Sequence, residues 1–409
     1  MKYRSTPGRS LRPWFKPLLI VLISFTGPIL RAAEPSQALQ RQVSFRRTFG
    51  GAGMDEGNFA QQTADGGYIA VGVTTSFGDG AWNTWLVKVD PQGAEQWSRS
   101  FGTGRYESGE ALQVTADGGY IIVGATLSTE PQDYDLRLLK TNGNGRQLWT
   151  RTYGGTNWDW GHSVRQTADE GFILTGWTDS RGAGGGDLWL IKTDAQGEEL
   201  WTRTYGGSEN DCGNWVQPTD DGGYIVTGAT SSASVGNDDL WLIKTTATGD
   251  PQWMRTFGGA GYDEGHFVHA TSDGGYIVVG STTSGSDRGS DVWLIKLQST
   301  GSTTWTRTFG GEEWEWGNAV AETPDGGFII VGTTLSYGAG ASDLWLIKTD
   351  AEGNELWTRT YGGHDLDFGL SVEPTEDGGF ILAGRTFSYG AGNSDMWLIK
   401  TDSEGQAIF

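Results

Sequence analysis

The chain has 409 residues, among them 66 Gly and 20 Trp, with 29 Lys and Arg against 50 Asp and Glu for a net charge of −21. So acidic a surface repels phosphate backbones and argues against nucleic acid as a partner. The single cysteine, Cys212, excludes an intramolecular disulfide, so packing must supply the stability.

At the N-terminus, Lys2, Arg4, Arg9, Arg12 and Lys16 precede an apolar run over residues 18–30, and Ala32-Ala33 offers small residues for cleavage. Residues 1–33 therefore read as a secretory signal, which places the mature chain outside the cytoplasm, extracellular or periplasmic. The competing reading is a retained anchor, for which the run is short. No Cys follows it to carry a lipid. Without its six basic residues the chain holds 23 basic against 50 acidic side chains, or −27. A polar, Gln-rich lead-in spans residues 34–44.

From Phe45 onward one unit repeats. Its closing Trp falls at Trp97, Trp149, Trp201, Trp253, Trp305 and Trp357, each 52 residues after the last, with Phe45 and Phe409 in the same phase. Seven copies cover residues 45–409, and a period of this kind signals a repeat architecture. Four strands fit one copy. Strand D is Trp-x-Arg-Thr-aromatic, as in Trp201-Thr202-Arg203-Thr204-Tyr205; its period of two predicts one covered and one wet face. Strand A is short and mixed, as in Gly317-Asn318-Ala319-Val320. Strands B (Phe328-Ile329-Ile330-Val331) and C (Leu344-Trp345-Leu346-Ile347) are apolar on both faces and need cover on both.

The turns agree with an antiparallel meander. Asp-Gly-Gly joins A to B in six copies, for example Asp65-Gly66-Gly67, and the third copy reads Asp169-Glu170-Gly171. Asp-Gly is a strong hairpin signal. Asp-x-x-Gly joins C to D. Copies of such a sheet cover one another when stacked around an axis, which predicts an all-β, seven-bladed β-propeller with four antiparallel strands per blade. An open solenoid is the alternative. The chain opens on a spare D strand and stops after a C strand, so residues 44–49 are expected to complete the last blade and close the ring.

These words resemble known families. The Asp-x-x-Gly-x-x-x-Trp turn resembles the docking motif of quinoprotein-type propellers, and the Gly-Gly-aromatic-Ile strand resembles kelch repeats. Asp-Gly-Gly-Tyr-Ile with Trp-Leu-Ile-Lys-Thr-Asp is most similar to secreted bacterial and archaeal propeller repeats, including delta-60-like repeats. The resemblance implies the fold and no particular activity. No adjacent cysteine pair of the quinoprotein kind is present.

Arg recurs on strand D (Arg47 to Arg359), and an acid recurs eight residues later, from Asp55 to Asp367. The expected structural role is an ion pair pinning the D–A loop; the functional alternative is an acidic ring at the channel mouth. Lys recurs at the end of strand C, from Lys88 to Lys400. A residue present in all seven copies serves the blade, so a unique site must break the pattern.

The D–A and B–C loops share one face and vary, and loops on a rigid scaffold carry function. Blades three and six carry Trp-acid-Trp: Trp158, Asp159 and Trp160, then Trp314, Glu315 and Trp316, with Trp215 a further aromatic near the axis. Exposed Trp beside carboxylates suits a glycan, or a peptide or cationic ligand. The structural alternative is that these rings fill space between blades. His162 and His266 share one strand-A position and are expected to line the channel without forming a metal site. Calcium has only a weak cue, at Asn237-Asp238-Asp239. The reading is a secreted, monomeric, non-catalytic binding scaffold with no cofactor. The alternatives are a polysaccharide-active or quinoprotein-like enzyme and a structural surface or adhesion component.

Overall fold

The computed structural model describes residues 43–128, 133–286 and 288–408. The leader, most of the lead-in, Phe409 and residues 129–132 of the blade-two B–C loop lie outside the described residues. Every described element is a strand, and the strands form seven four-stranded antiparallel sheets. Blade one runs A (Asp55–Gln62), B (Tyr68–Thr74), C (Asn83–Val89) and D (Glu95–Phe101), and this order repeats. Each A strand packs on the A strands to either side, the first against the seventh, so the ring is closed and A is innermost. Among the described residues no helix is long and apolar enough to cross a membrane.

Closure is non-covalent, as the spare strand predicts. Phe45–Phe49 pairs antiparallel with strand C of blade seven, Asp395–Thr401, with Phe45 opposite Lys400 and Phe49 opposite Met396. It supplies the missing D strand, and the order of that sheet is A-B-C from the C-terminus and D from the N-terminus.

Strands B and C are buried almost throughout, for example Phe328–Thr334 and Asp343–Thr349. Their residues pack against those of adjoining blades in three core clusters, one of them extending over most of the ring. Strand D is the rim. Its Trp ring lies over the C–D turn glycine of the next blade: Trp97 on Gly145, Trp149 on Gly197, and so round the ring to Phe45 on Gly93. A Cβ on Gly145 would come within 2.6 Å of the Trp97 ring, and its φ of 73° lies in the left-handed region, so glycine is required twice over. The same rings meet the first aromatic of the next strand B, as Trp201 does Tyr224 at 6.0 Å.

The turns are held by a seven-fold ion pair that joins two recurrent residues. Lys88 Nζ lies 3.0 Å from Asp65 of the Asp-Gly-Gly turn, and each later copy repeats this to Lys400 with Asp377. The Asp also accepts from the Thr63 hydroxyl (2.6 Å) and from Gly67 N–H (3.1 Å). Burial alone would raise the Asp65 carboxyl, but Thr63, Lys88 and Gly67 outweigh it and hold it at about 2. Because the folded value lies below the ordinary one, this contribution is complete above about pH 4 and is lost as pH falls toward 2. The carboxylate is half exposed, so solvent screening keeps each copy's share small.

Two sequence expectations change. The recurrent Arg does not pair with the acid eight residues on. It stacks on the Trp two positions earlier on its own strand, as Arg99 does over Trp97 at 5.5 Å, since residues i and i+2 share a strand face. The acid turns inward: Asp55 accepts from Thr74, from Ser76 Oγ (2.6 Å) and from Gly51 N–H (2.7 Å), stitching the D–A loop to the B–C loop. Strand A also carries a bulge, for example between Gly57 and Phe59 opposite Gly72 and Val71, which the strict alternation did not foresee.

Phe45 is 2% exposed and bridges the last blade to the first. Phe45→Ala is expected to cost about 3–5 kcal/mol, the usual range for emptying a buried aromatic site. Urea unfolding monitored by tryptophan fluorescence checks this; an unchanged midpoint would show that the clasp contributes nothing.

Candidate functional site

Trp158 and Trp160 flank the first residue of strand A in blade three, Asp159–Gln166. Alternation throws both rings to one side and the carboxylate to the other. Trp158 is 53% exposed and Trp160 is half-buried. Around them the structure gathers three rings that the sequence reading did not single out. Tyr134 meets Trp158 edge-on at 5.5 Å and Trp160 at 5.2 Å. Tyr106 meets Tyr134 at 5.2 Å and Trp160 at 5.7 Å, and Trp82 follows at 6.0 Å from Tyr106. The result is a five-ring shelf across the D–A and B–C loops of blades one to three. The cue was in the repeat: Tyr106 holds the phase of Trp158, and Trp82 and Tyr134 share another phase, 52 residues apart.

Polar groups border the shelf. Trp160 Nε1 donates to Glu110 at 3.3 Å. Burial, then the nearby Glu110 carboxylate, keeps the Tyr106 hydroxyl protonated well above the ordinary tyrosine range. Beside Tyr134, burial followed by the Asp133 and Asp159 carboxylates pushes Asp135 up to about 6. A second, smaller patch lies in blade six, where Trp314 and Trp316 stack at 6.0 Å and Trp314 is 44% exposed.

The acids between the paired Trp residues are not ligand groups as expected. Asp159 and Glu315 are fully buried. Asp159 accepts from Thr178, from Ser180 Oγ (2.6 Å) and from Gly155 N–H (3.0 Å). Glu315 accepts from Thr334 (3.0 Å), Ser336 N–H (3.0 Å) and Gly311 N–H (2.8 Å). Both belong to a loop stitch made in six of the seven copies; in blade two Glu107 accepts from Thr103 of its own D–A loop instead. Trp215 stands apart from the shelf: it is 6% exposed on strand A of blade four and stacks on Phe267 at 4.0 Å inside the ring.

His162 and His266 sit at the strand-A bulge and reach across the seam to the next blade. His162 Nδ1 lies 3.0 Å from Gly213 O, and His266 Nδ1 lies 2.8 Å from Gly317 O. Asn58, Asn214 and Asn318 donate to the matching carbonyls in their own seams, so the two histidines serve a repeated inter-blade link. Among the described residues no group of three or more His, Cys, Asp or Glu side chains is placed to hold a metal. Asp238 and Asp239 instead accept from Ser231 and from Val235 N–H within their own loop.

Burial pulls the His266 imidazole down, but Glu264 at 3.2 Å and the Gly317 carbonyl more than offset it and hold the ring above its ordinary value. Its stabilising contribution is therefore full below about pH 6.5 and fades as pH rises through the folded value. Glu264→Gln should lower the His266 midpoint in an NMR titration of the imidazole Cε1 proton. The stability gap from wild type should be widest near pH 6 and shrink at higher pH. An unchanged midpoint would remove Glu264 as the cause.

No family model and no curated protein matches the chain. Solved structures do. The Pan2 WD40 domain of Neurospora crassa is similar at 10% identity with a TM-score of 0.50, over 89% of this chain and 92% of that one. YCF48 bound to D1 peptide is similar at 10% identity and a TM-score of 0.47, over 90% and 99%. Sqt1 from Chaetomium thermophilum is similar at 13% identity and a TM-score of 0.47, over 83% of each chain. Likeness at this level of identity concerns the fold alone, and of these three the Pan2 WD40 domain supports the β-propeller.

Proposed function

We propose that the protein is an exported, non-catalytic propeller scaffold that binds a glycan across the shelf of Trp82, Tyr106, Tyr134, Trp158 and Trp160. The observation that carries this reading is the shelf itself: five rings drawn from three blades, with the Trp158 ring left open to solvent. An aromatic face offers a sugar ring an apolar partner, while Glu110 and the Tyr106 hydroxyl supply hydrogen-bonding groups at its edge. The stacked Trp314 and Trp316 offer a separate, smaller contact. Export rests on the composition of residues 1–33. The scaffold reading is supported by the fate of the recurrent acids, whose carboxylates are consumed by loop hydroxyls and amides and are not left free for acid–base work.

A glycan array probed with residues 34–409, followed by titration of the strongest hit, tests the proposal. Trp158→Ala should weaken binding at least tenfold, or about 1.4 kcal/mol, with Trp314→Ala having the smaller effect. Retention of unrelated peptides with no glycan bound, or full glycan affinity in Trp158→Ala, would overturn it.

A further inference from the structure

A second place in the ring breaks the seven-fold pattern. Near the A–B turns, one strand-A position is occupied in order by Gln61, Gln113, Arg165, Gln217, His269, Ala321 and Glu373. The three Gln side chains follow one rule. Each amide oxygen accepts a backbone N–H from the next blade: Gln61 from Val114 at 2.8 Å, Gln113 from Gln166 at 2.5 Å, Gln217 from Ala270 at 2.8 Å. With its oxygen engaged in the wall, each amide has its NH2 group left to donate. Arg165, His269 and Glu373 depart from that rule, and all six polar side chains line one cavity of about 270 Å³.

Arg165 is the unusual member. It is only 9% exposed, and its guanidinium lies 4.2 Å above the Trp215 ring and 5.6 Å from Phe59. One nitrogen donates to Val164 O at 2.8 Å. No acid among the described residues forms an ion pair with it, Glu373 included. A guanidinium has five N–H donors, so most of its capacity is unused in a site where desolvation is costly. Glu373 is only a partial counterweight: burial, working against the attraction of Arg165, pushes that carboxyl up to about 7. Burial and Arg165 also hold His269 below its ordinary value, against the pull of Glu322.

We propose that this cavity is a binding site for a small organic carboxylate, held by the Arg165 guanidinium and the amide groups of Gln61, Gln113 and Gln217, with Phe267 as its apolar wall. The donors are planar and match a planar, singly charged acceptor, and the guanidinium fork suits bidentate carboxylate recognition. A protonated Glu373 adds a donor; an ionised Glu373 opposes the anion. A doubly charged phosphate would face that opposition more strongly. The volume is below the usual range for drug-sized ligands, which limits the occupant to a small acid. The site lies toward the opposite face from the aromatic shelf and does not depend on it.

Isothermal titration of residues 34–409 with sodium benzoate, benzamide and inorganic phosphate provides the test. Benzoate should bind, benzamide and phosphate at least tenfold more weakly, and Arg165→Gln should weaken benzoate at least tenfold while keeping the wild-type circular dichroism. Benzoate binding no better than benzamide, phosphate binding tighter than benzoate, or an Arg165→Gln variant with full affinity would overturn the proposal. Glu373→Gln gives an arm that does not rely on the Arg165 variant folding. Wild type should lose benzoate affinity severalfold between pH 6 and 8, and Glu373→Gln should lose markedly less. The other groups around Glu373 leave this sign unchanged. Arg165, held at about 10, stays charged through that range, and His269, which burial and Arg165 hold below its ordinary value, is common to both proteins. The adjoining A strands bring Gln61, Ala321 and Glu322, the last engaged by Ser272 at 2.7 Å, and strand B offers Ile381. Equal pH dependence in both proteins counts against the site.

Discussion

The contact on which the ring depends is a flat indole laid over a glycine that belongs to the next blade. Each sheet is apolar on both faces and cannot be stable alone, so its partner must arrive at a fixed angle and distance. The rim Trp provides that spacing from outside, and the Gly at the C–D turn admits the ring because it has no side chain. On the inside, Asn58 and its counterparts bind the next blade's backbone at the strand-A bulge. At five of the seven seams a blade is thus gripped at both ends of its radius. The Lys–Asp pair keeps the hairpin between these grips from opening, and it sits in all seven copies for that reason.

Much of this was legible in the sequence. A period that never drifts, Asp-Gly-Gly turns and a spare D strand led to seven closed blades, four strands each, and to the clasp at Phe45. Those signals are local or strictly periodic, so they survive without coordinates. What was not legible depends on which side chains meet across strands. Arg99 found its own strand's Trp97 and not the acid at Glu107, because a ring two positions away is already in reach. Asp159 and Glu315 looked available beside exposed Trp residues. Their hydroxyl partners, Thr178 and Thr334, lie 19 residues downstream and come close only when strands A and B pair.

The candidate sites show the same limit from another side. Trp158 and Trp160 stood out as a doubled motif, but Tyr106, Tyr134 and Trp82 looked like ordinary variation until three blades were set edge to edge. Arg165 and Glu373 are 208 residues apart in sequence and share a cavity only because the ring is closed. Repetition builds the frame, and departures from it at matching depths around the axis produce chemistry that no single repeat contains.

The clasp also decides how the molecule can be held. Phe45 is paired with Lys400, so the chain enters and leaves the ring side by side, where every other blade makes its C–D hairpin. Any tether attached at either end therefore grips the propeller from that side. The five-ring shelf, built from the loops at the far end of the strands, then points away from the point of attachment, as a dish faces away from its mount.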